Sequence, residues 1–236
     1  MGRYLLEVRE IHTFIGQFHI LQGVSLAVPE GSITAVLGRN GAGKTTTLKS
    51  VLGLTPPRRG RVLLAGQEVQ GRPAYEIAAM GVGYVPEHRA IFTDLTVAEN
   101  LRIAERRRGD LERRADFIFG LFPDLKRLYR LPGGHLSGGQ QQMLAIARAL
   151  VPDNRLLLID EPSEGLAPIL IQQLMEAIRR LSERVTVVLV EQNFQMASQL
   201  ADRYVIIDDG RSVRSGPMAE LLEDEATVRR YLGAVV

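Results

Sequence analysis

The stretch Gly38-Arg39-Asn40-Gly41-Ala42-Gly43-Lys44-Thr45-Thr46 constrains this chain more than any other. Two glycines, Gly38 and Gly43, precede Lys and Thr, and the stretch lies between an alternating apolar segment (Ile33, Ala35, Leu37) and a helix-like one (Leu48, Val51, Leu52). That is the strand-loop-helix setting of a phosphate-binding loop. The glycines let the backbone curl until successive N–H groups face one concavity, and the helix that follows adds the positive end of its dipole. Polyphosphate is then bound largely by main chain, with Lys44 reaching the outer phosphates and the Thr45 hydroxyl ligating Mg²⁺. A nucleotide site is the premise for reading everything else.

At 236 residues the chain can bury one large α/β core, or a core with a smaller insertion. The formal net charge is only +2 although the isoelectric point is near 9.1, which argues against a nucleic-acid partner. With no cysteine, disulfides and thiolate chemistry are excluded. The beginning, Met1 to Glu7, lacks a signal-peptide apolar run, and Leu6 stands where a myristoylation signal needs Ser or Thr. Leu156 to Ile159 and Val185 to Val190 are too short to span a bilayer. The expectation is a cytosolic chain unless another protein carries it to a membrane.

Along the chain, Leu5 to Val8, Leu21 to Val28 and Arg61 to Leu64 read as strands joined by short turns, predicting a small antiparallel sheet beside the nucleotide core. Ala74 to Met80 reads as a helix and Val82 to Pro86 as a short buried strand. From Thr96 to about Leu131 the pattern is helical and charged, opened by the capping box Thr96-Val97-Ala98-Glu99. Its interleaved charges read first as a solvated face, with an interaction surface as the alternative. A helix after Gln140 carries the stripe Met143, Ile146, Ala147 and Leu150. Leu156 to Ile159 and Val185 to Val190 are unbroken apolar strands, as in a parallel sheet covered on both faces. Helices are expected from Pro168 to Leu181, near Phe194 to Ala201, and in the tail after Pro217.

Two further motifs carry chemistry. Asp160-Glu161 ends the core strand Leu156 to Ile159, where a carboxylate beside a phosphate loop is placed to hold Mg²⁺; Asp160 takes that role. Glu161 then reaches the terminal phosphate and can orient or deprotonate an attacking water. In Leu136-Ser137-Gly138-Gly139-Gln140, Ser137 and Gln140 form a capping box. Two glycines in a first helical turn cost helix propensity of about 1 kcal/mol each, and bare N–H groups there suit a close approach to phosphate. One nucleotide does not need two cradles from one chain, so Ser137, Gly138, Gly139 and Gln140 are expected to serve a nucleotide held by another subunit.

These motifs, in this order, resemble the ATP-binding subunits of ABC transporters along essentially the whole chain. Gly83-Tyr84-Val85-Pro86-Glu87, Leu136 to Leu150, Asp160 to Pro168 and Leu189-Val190-Glu191-Gln192-Asn193 are most similar to the branched-chain amino-acid importer branch, and to the shorter of its two ATPase subunits. The resemblance implies a P-loop NTPase core with a mainly parallel sheet, a small flanking antiparallel β subdomain and an inserted α-helical subdomain. Residues 1–87 and 154–236 would form the ATPase core with its β subdomain, and 88–153 the helical subdomain. It implies ATP and Mg²⁺ as cofactors, with Glu161, Lys44 and Gln192 catalytic and Thr45, Asp160 and Glu87 at the metal.

It also implies partners: integral membrane permease subunits, a second, paralogous ATP-binding subunit or a homodimer, and indirectly a substrate-binding protein, at the cytoplasmic face of the inner membrane. Three departures stand out. Glu87 replaces the usual Gln, Gln192 the switch His, and Ala167 a frequent Asp. Ile15 falls where an adenine-stacking aromatic is expected, leaving Phe14 or Phe18 as candidates. His12, His19, His88 and His135 form no metal pattern. Alternative readings are a subunit for urea, an exporter subunit for lipid or glycan, or a soluble ABC ATPase acting on nucleic acid or ribosomes, which predicts a long insertion or basic stripe.

Overall fold

The computed structural model describes residues 4–233. The chain opens with a hairpin of β1 (Tyr4–Ile15) and β2 (Phe18–Pro29), longer than the two strands that the sequence predicts. The missing stretch hides because bulges near Glu10, which has φ 48°, break the period-two alternation. β3 (Ile33–Leu37) leads through the glycine-rich loop into α1 (Lys44–Val51). β4 (Arg59–Leu64) and β5 (Gln67–Glu68) complete an antiparallel sheet in the order β2-β1-β4-β5. α2 (Ala74–Ala79) and β6 (Val82–Val85) follow.

The charged helical stretch is divided into three helices: α3 (Val97–Arg102), α4 (Asp110–Leu121) and α5 (Pro123–Arg127). Gly109, at φ 84°, starts α4, and Pro123 occupies the first turn of α5, so each ends the continuity of the helix before it. The Thr96 and Glu99 side chains close both halves of the expected capping box on α3. Then come α6 (Gly138–Leu150), β7 (Leu156–Asp160), α7 (Pro168–Ser182), β8 (Thr186–Glu191) and α8 (Phe194–Leu200). On α6 the buried stripe is wider than predicted, taking in Leu144 and Ala145, while Met143 is only partly covered.

β9 (Arg203–Asp208) and β10 (Arg211–Pro217) lie where the sequence reading assigns no element, before α9 (Met218–Glu223) and α10 (Glu225–Leu232). The apolar run Tyr204 to Ile207 is too short to show a period, and β10 is an exposed edge carrying Arg211 and Arg214. These strands finish a second sheet in the order β10-β9-β3-β8-β7-β6, parallel throughout except at β10.

The unbroken apolar strands have a direct cause. Leu157, Ile159, Val187 and Leu189 face a core built with α3 to α8, while Leu156, Leu158, Val188 and Val190 face a second core shared with α1 and the antiparallel sheet. With both faces buried, successive side chains must all be apolar. β3, β8 and β7 are neighbours running in parallel, so the loops after Leu37, Asp160 and Glu191 converge at one end of the sheet. Leu158→Ala should therefore lower the unfolding free energy by about 2–5 kcal/mol in a denaturant titration. Leu54→Ala, at a side chain more than half exposed, should change it by at most about 0.5 kcal/mol.

Candidate functional site

The loop after β3 is shaped by close packing. A Cβ at Gly38 would collide with the Ile207 carbonyl oxygen on β9, and Gly43 sits at φ 107° with the Leu21 side chain 2.7 Å from where a Cβ would be. Only glycine lets this loop press against both sheets. Beyond Gly43, α1 begins directly with Lys44, without a side-chain cap, so its first N–H groups face the loop's interior.

The Lys44 side chain is buried. Its Nζ donates to the carbonyl oxygens of Gly38 (3.0 Å) and Arg39 (3.1 Å) and pairs with Glu161 Oε1 at 3.0 Å. Thr45 Oγ1 donates to Asp160 Oδ1 at 3.1 Å, and the Tyr84 hydroxyl donates to Oδ2 at 3.3 Å. Asp160 is completely enclosed, and burial pushes its carboxyl above the ordinary carboxylate range; the two hydrogen bonds oppose this, and Glu161 and Glu87 add to it. Burial and the adjacent Asp160 likewise raise the Tyr84 phenol.

Glu161 has φ 42°, a left-handed backbone that costs a non-glycine residue about 1–3 kcal/mol and persists only where the surroundings impose it. They do so here through Glu161 N–H to Val190 O (2.9 Å) and Glu164 N–H to Glu161 O (3.2 Å).

A cavity of about 420 Å³ opens over this loop, lined by Asn40, Gly41, Gly43, Lys44, Thr45 and Thr46, with Glu87 and Glu161 on its wall. Of the remaining residues singled out in the sequence, Gly38 and Ala42 are buried in the loop's backbone turn, and Asp160 lies beneath its floor. Arg39 points outward, donating to the Arg230 carbonyl. Glu164 and Ile20 also line the cavity; the sequence reading gives neither a role, although Glu164 lies within the stretch Asp160 to Pro168. Gln192 is exposed on the loop after β8 and does not line the cavity.

Neither do Ser137, Gly138, Gly139 and Gln140. Ser137 N–H donates to Gln140 Oε1 (2.9 Å) and Gln140 N–H to Ser137 Oγ (3.3 Å), closing the capping box at the start of α6. The two glycines separate in kind. Gly139 is buried, and a Cβ there would meet the end of the Leu170 side chain at 2.6 Å, so Leu170 would have to turn aside to admit one. Gly138 is exposed, and the crowding it would meet is the flexible end of Arg89.

At the base end of the cavity stand Ile15 and Ile20. The Phe14 ring is stacked on His19 at 4.2 Å and carries the Arg58 guanidinium 4.4 Å from its centre. Two groups at those distances cannot share one face, so neither face of Phe14 is open to a base. Phe18 pairs directly with Ile15 across the hairpin, hence shares its face, and is two-thirds exposed.

ATP and Mg²⁺ fit what is present. Turned-in N–H groups and a buried ammonium suit phosphate oxygens. Thr45 and Asp160, with Glu87 at the wall, form a hard-oxygen set too small to enclose a cation, as Mg²⁺ with its retained water and phosphate oxygens needs. No group of three or more His, Cys, Asp or Glu among the described residues could hold a metal. Nor is any described helix long and apolar enough to cross a membrane.

Comparison with known proteins agrees with this geometry. A family model described as ABC transporter matches residues 21–164. The chain is 42% identical over 97% of its length to all of BraG, the high-affinity branched-chain amino acid transport ATP-binding protein of Pseudomonas aeruginosa. It is 33% identical to LptB, the lipopolysaccharide export system ATP-binding protein of Escherichia coli K12, over 91% of each chain. A crystal structure of an ABC transporter's ATP-binding cassette in its ADP conformation superposes with a TM-score of 0.87, covering 98% of this chain and 97% of that one at 24% identity, which shows the fold.

The raised carboxyls make a pH prediction. Asp160 and Glu191 both hold their protons more tightly folded than unfolded, chiefly because of burial. Above the ordinary carboxylate range the unfolded chain has released protons that the folded chain keeps, so stability falls as pH rises through that window. Glu99, Asp110 and Asp224, held low by hydrogen bonds, act oppositely and only below that range. Melting temperatures of the nucleotide-free chain should decline across the upper window, and Glu191→Gln should make the decline shallower.

Proposed function

Since the chain belongs to the ABC transporter family, we propose that it is the ATP-hydrolysing, energy-coupling subunit of an importer for branched-chain amino acids. The observation that carries this reading is the identity with BraG along nearly the whole chain, higher than that with LptB. The cargo follows from that comparison and from no cavity of this chain, because a subunit that supplies energy need not touch what is carried. An exporter subunit for lipid or glycan uses the same ATP chemistry with a different permease.

ATP lies with its phosphates in the loop Gly38 to Thr46. Lys44, already desolvated, exchanges its carbonyl and Glu161 partners for phosphate oxygens, which frees the Glu161 carboxylate. Glu161 accepts a proton from a water as its oxygen attacks the terminal phosphorus and the bond to the β-phosphate oxygen breaks. Thr45, Asp160 and Glu87 would hold Mg²⁺, which neutralises charge on the phosphate oxygens. Gln192, which does not line the cavity in the nucleotide-free chain, reaches the terminal phosphate only as its loop shifts toward it, and its amide donates a hydrogen bond there without a change of charge near neutral pH.

Ser137 to Gln140 serve the nucleotide of a second ATP-binding subunit, a paralogue or another copy of this chain. That they lie outside this chain's own cavity supports the assignment. ATP then favours the closed pair through contacts that ADP lacks. Residues 88–153 move as the helical subdomain against the core, and the groove near Glu87 receives segments of the permease subunits. The subunit therefore works at the cytoplasmic face of the inner membrane, with a substrate-binding protein delivering cargo on the other side.

Gentle solubilisation of cells carrying a tagged copy tests the assignment. Two polytopic membrane proteins and a second ATP-binding subunit should co-purify; ribosomes or DNA-processing factors alone would contradict it. Glu161→Gln should leave ATP binding intact and slow hydrolysis by about a hundredfold or more. Hydrolysis at the parent rate would remove Glu161 as the base.

A further inference from the structure

One buried carboxylate next to this site has no part in the chemistry above. Glu191, the last residue of β8, is fully enclosed. Its Oε1 accepts from the Ser163 N–H at 3.1 Å, and its Oε2 accepts from the Ser163 hydroxyl at 3.0 Å and the Asn193 N–H at 3.2 Å. Ser163 belongs to the turn that begins at Glu161, and Asn193 to the loop that carries Gln192. A single side chain thus ties together the two loops on which the hydrolytic groups stand.

We propose that Glu191 is a positioning residue that holds the Glu161 turn and the Gln192 loop in fixed relation. This rests on reading Glu161 as the base. The left-handed backbone at Glu161 needs support from its surroundings, and the grip of Glu191 on Ser163 supplies part of it. The Asn193 side chain accepts from Met196 N–H and caps α8, so the bracket reaches a rigid helix.

The carboxylate is a costly way merely to fill space. Burying its charge is unfavourable, and a glutamine of the same shape would avoid that. But an amide offers only one oxygen. If it faces Ser163 N–H, its NH₂ confronts Asn193 N–H; if it faces Asn193, Ser163 N–H loses its acceptor. Either way one loop is released, and displacements of about 1 Å at reacting groups can cost about a hundredfold in rate.

The test compares Glu191→Gln, Ser163→Ala and their double variant in the full-length chain, assayed in the same assembly as the parent. Glu191→Gln should reduce kcat by about tenfold or more while ATP affinity stays within about twofold. Ser163→Ala should reduce kcat less, and the double variant should match Glu191→Gln alone, since both act through one bracket. Parent-rate turnover in Glu191→Gln, or a loss seen only as weaker ATP binding or a lower melting temperature, would overturn the proposal. If Glu191→Gln does not fold, Ser163→Ala decides: slowed turnover at unchanged affinity supports the bracket, and parent turnover refutes it. Glu161→Gln, measured alongside, separates the two layers. Full hydrolysis there removes the base itself, whereas arrest there with full activity in Glu191→Gln removes only the bracket.

Discussion

An ammonium group taken out of water holds this site together. Lys44 is almost wholly buried, and burying it alone would be prohibitive, so its three acceptors must be in place: two loop carbonyls and the Glu161 carboxylate. The carbonyls of Gly38 and Arg39 turn inward only because the loop folds tightly against Ile207 of β9 and Leu21 of β2. The phosphate loop is therefore where the parallel and antiparallel sheets meet, and both sheets are needed to give it its curvature. The same three acceptors are what phosphate oxygens would replace, so the nucleotide-free arrangement already has the charge pattern that a polyphosphate completes.

From that point the chemistry is ordered by the parallel sheet. β3, β8 and β7 lie side by side and deliver Lys44, the Gln192 loop and Asp160-Glu161 to one end of the sheet. Because both faces of these strands are buried, their ends are set by two packed cores, and small shifts are resisted by close packing. Besides the Lys44–Glu161 pair, Asp160 beneath the cavity and Glu191 beside it are buried carboxylates in that interior. Both are held by hydroxyl and N–H donors and, among the described residues, by no cationic side chain, which leaves Asp160 suited to a cation arriving with nucleotide.

Much of this was legible because the informative residues are contiguous. The loop Gly38 to Thr46, the buried runs of β7 and β8, and the Thr96 box each carry their pattern within a few positions. What was not legible depends on contacts between distant segments. Glu191 reads as one more residue after an apolar strand until Ser163, far away in sequence, is found donating to it twice. Gly139 reads as a glycine suited to phosphate, and its packing against the Leu170 side chain of α7 is a contact that only the fold reveals. Phe14 reads as either a packing residue or a stacking candidate, and the His19 and Arg58 contacts that decide for packing come from other segments. β9 escaped notice because four apolar residues carry too little periodicity, although it forms the wall that shapes the phosphate loop.

On the proposed reading, a second chain completes the site. Ser137 and Gly138 present an exposed helix start that lines no part of the phosphate-loop cavity, and a nucleotide shared between subunits would join the two. The most direct measurement is covalent labelling by an ATP analogue whose reactive group sits on the γ-phosphate, followed by peptide mapping. Label within Gly38 to Thr46 should appear in the isolated monomeric chain and in the assembled complex alike. Label at Ser137 to Gln140 should appear only in the assembly. Label at Ser137 to Gln140 in the isolated monomer, or none there in the assembly, would contradict a nucleotide held between subunits.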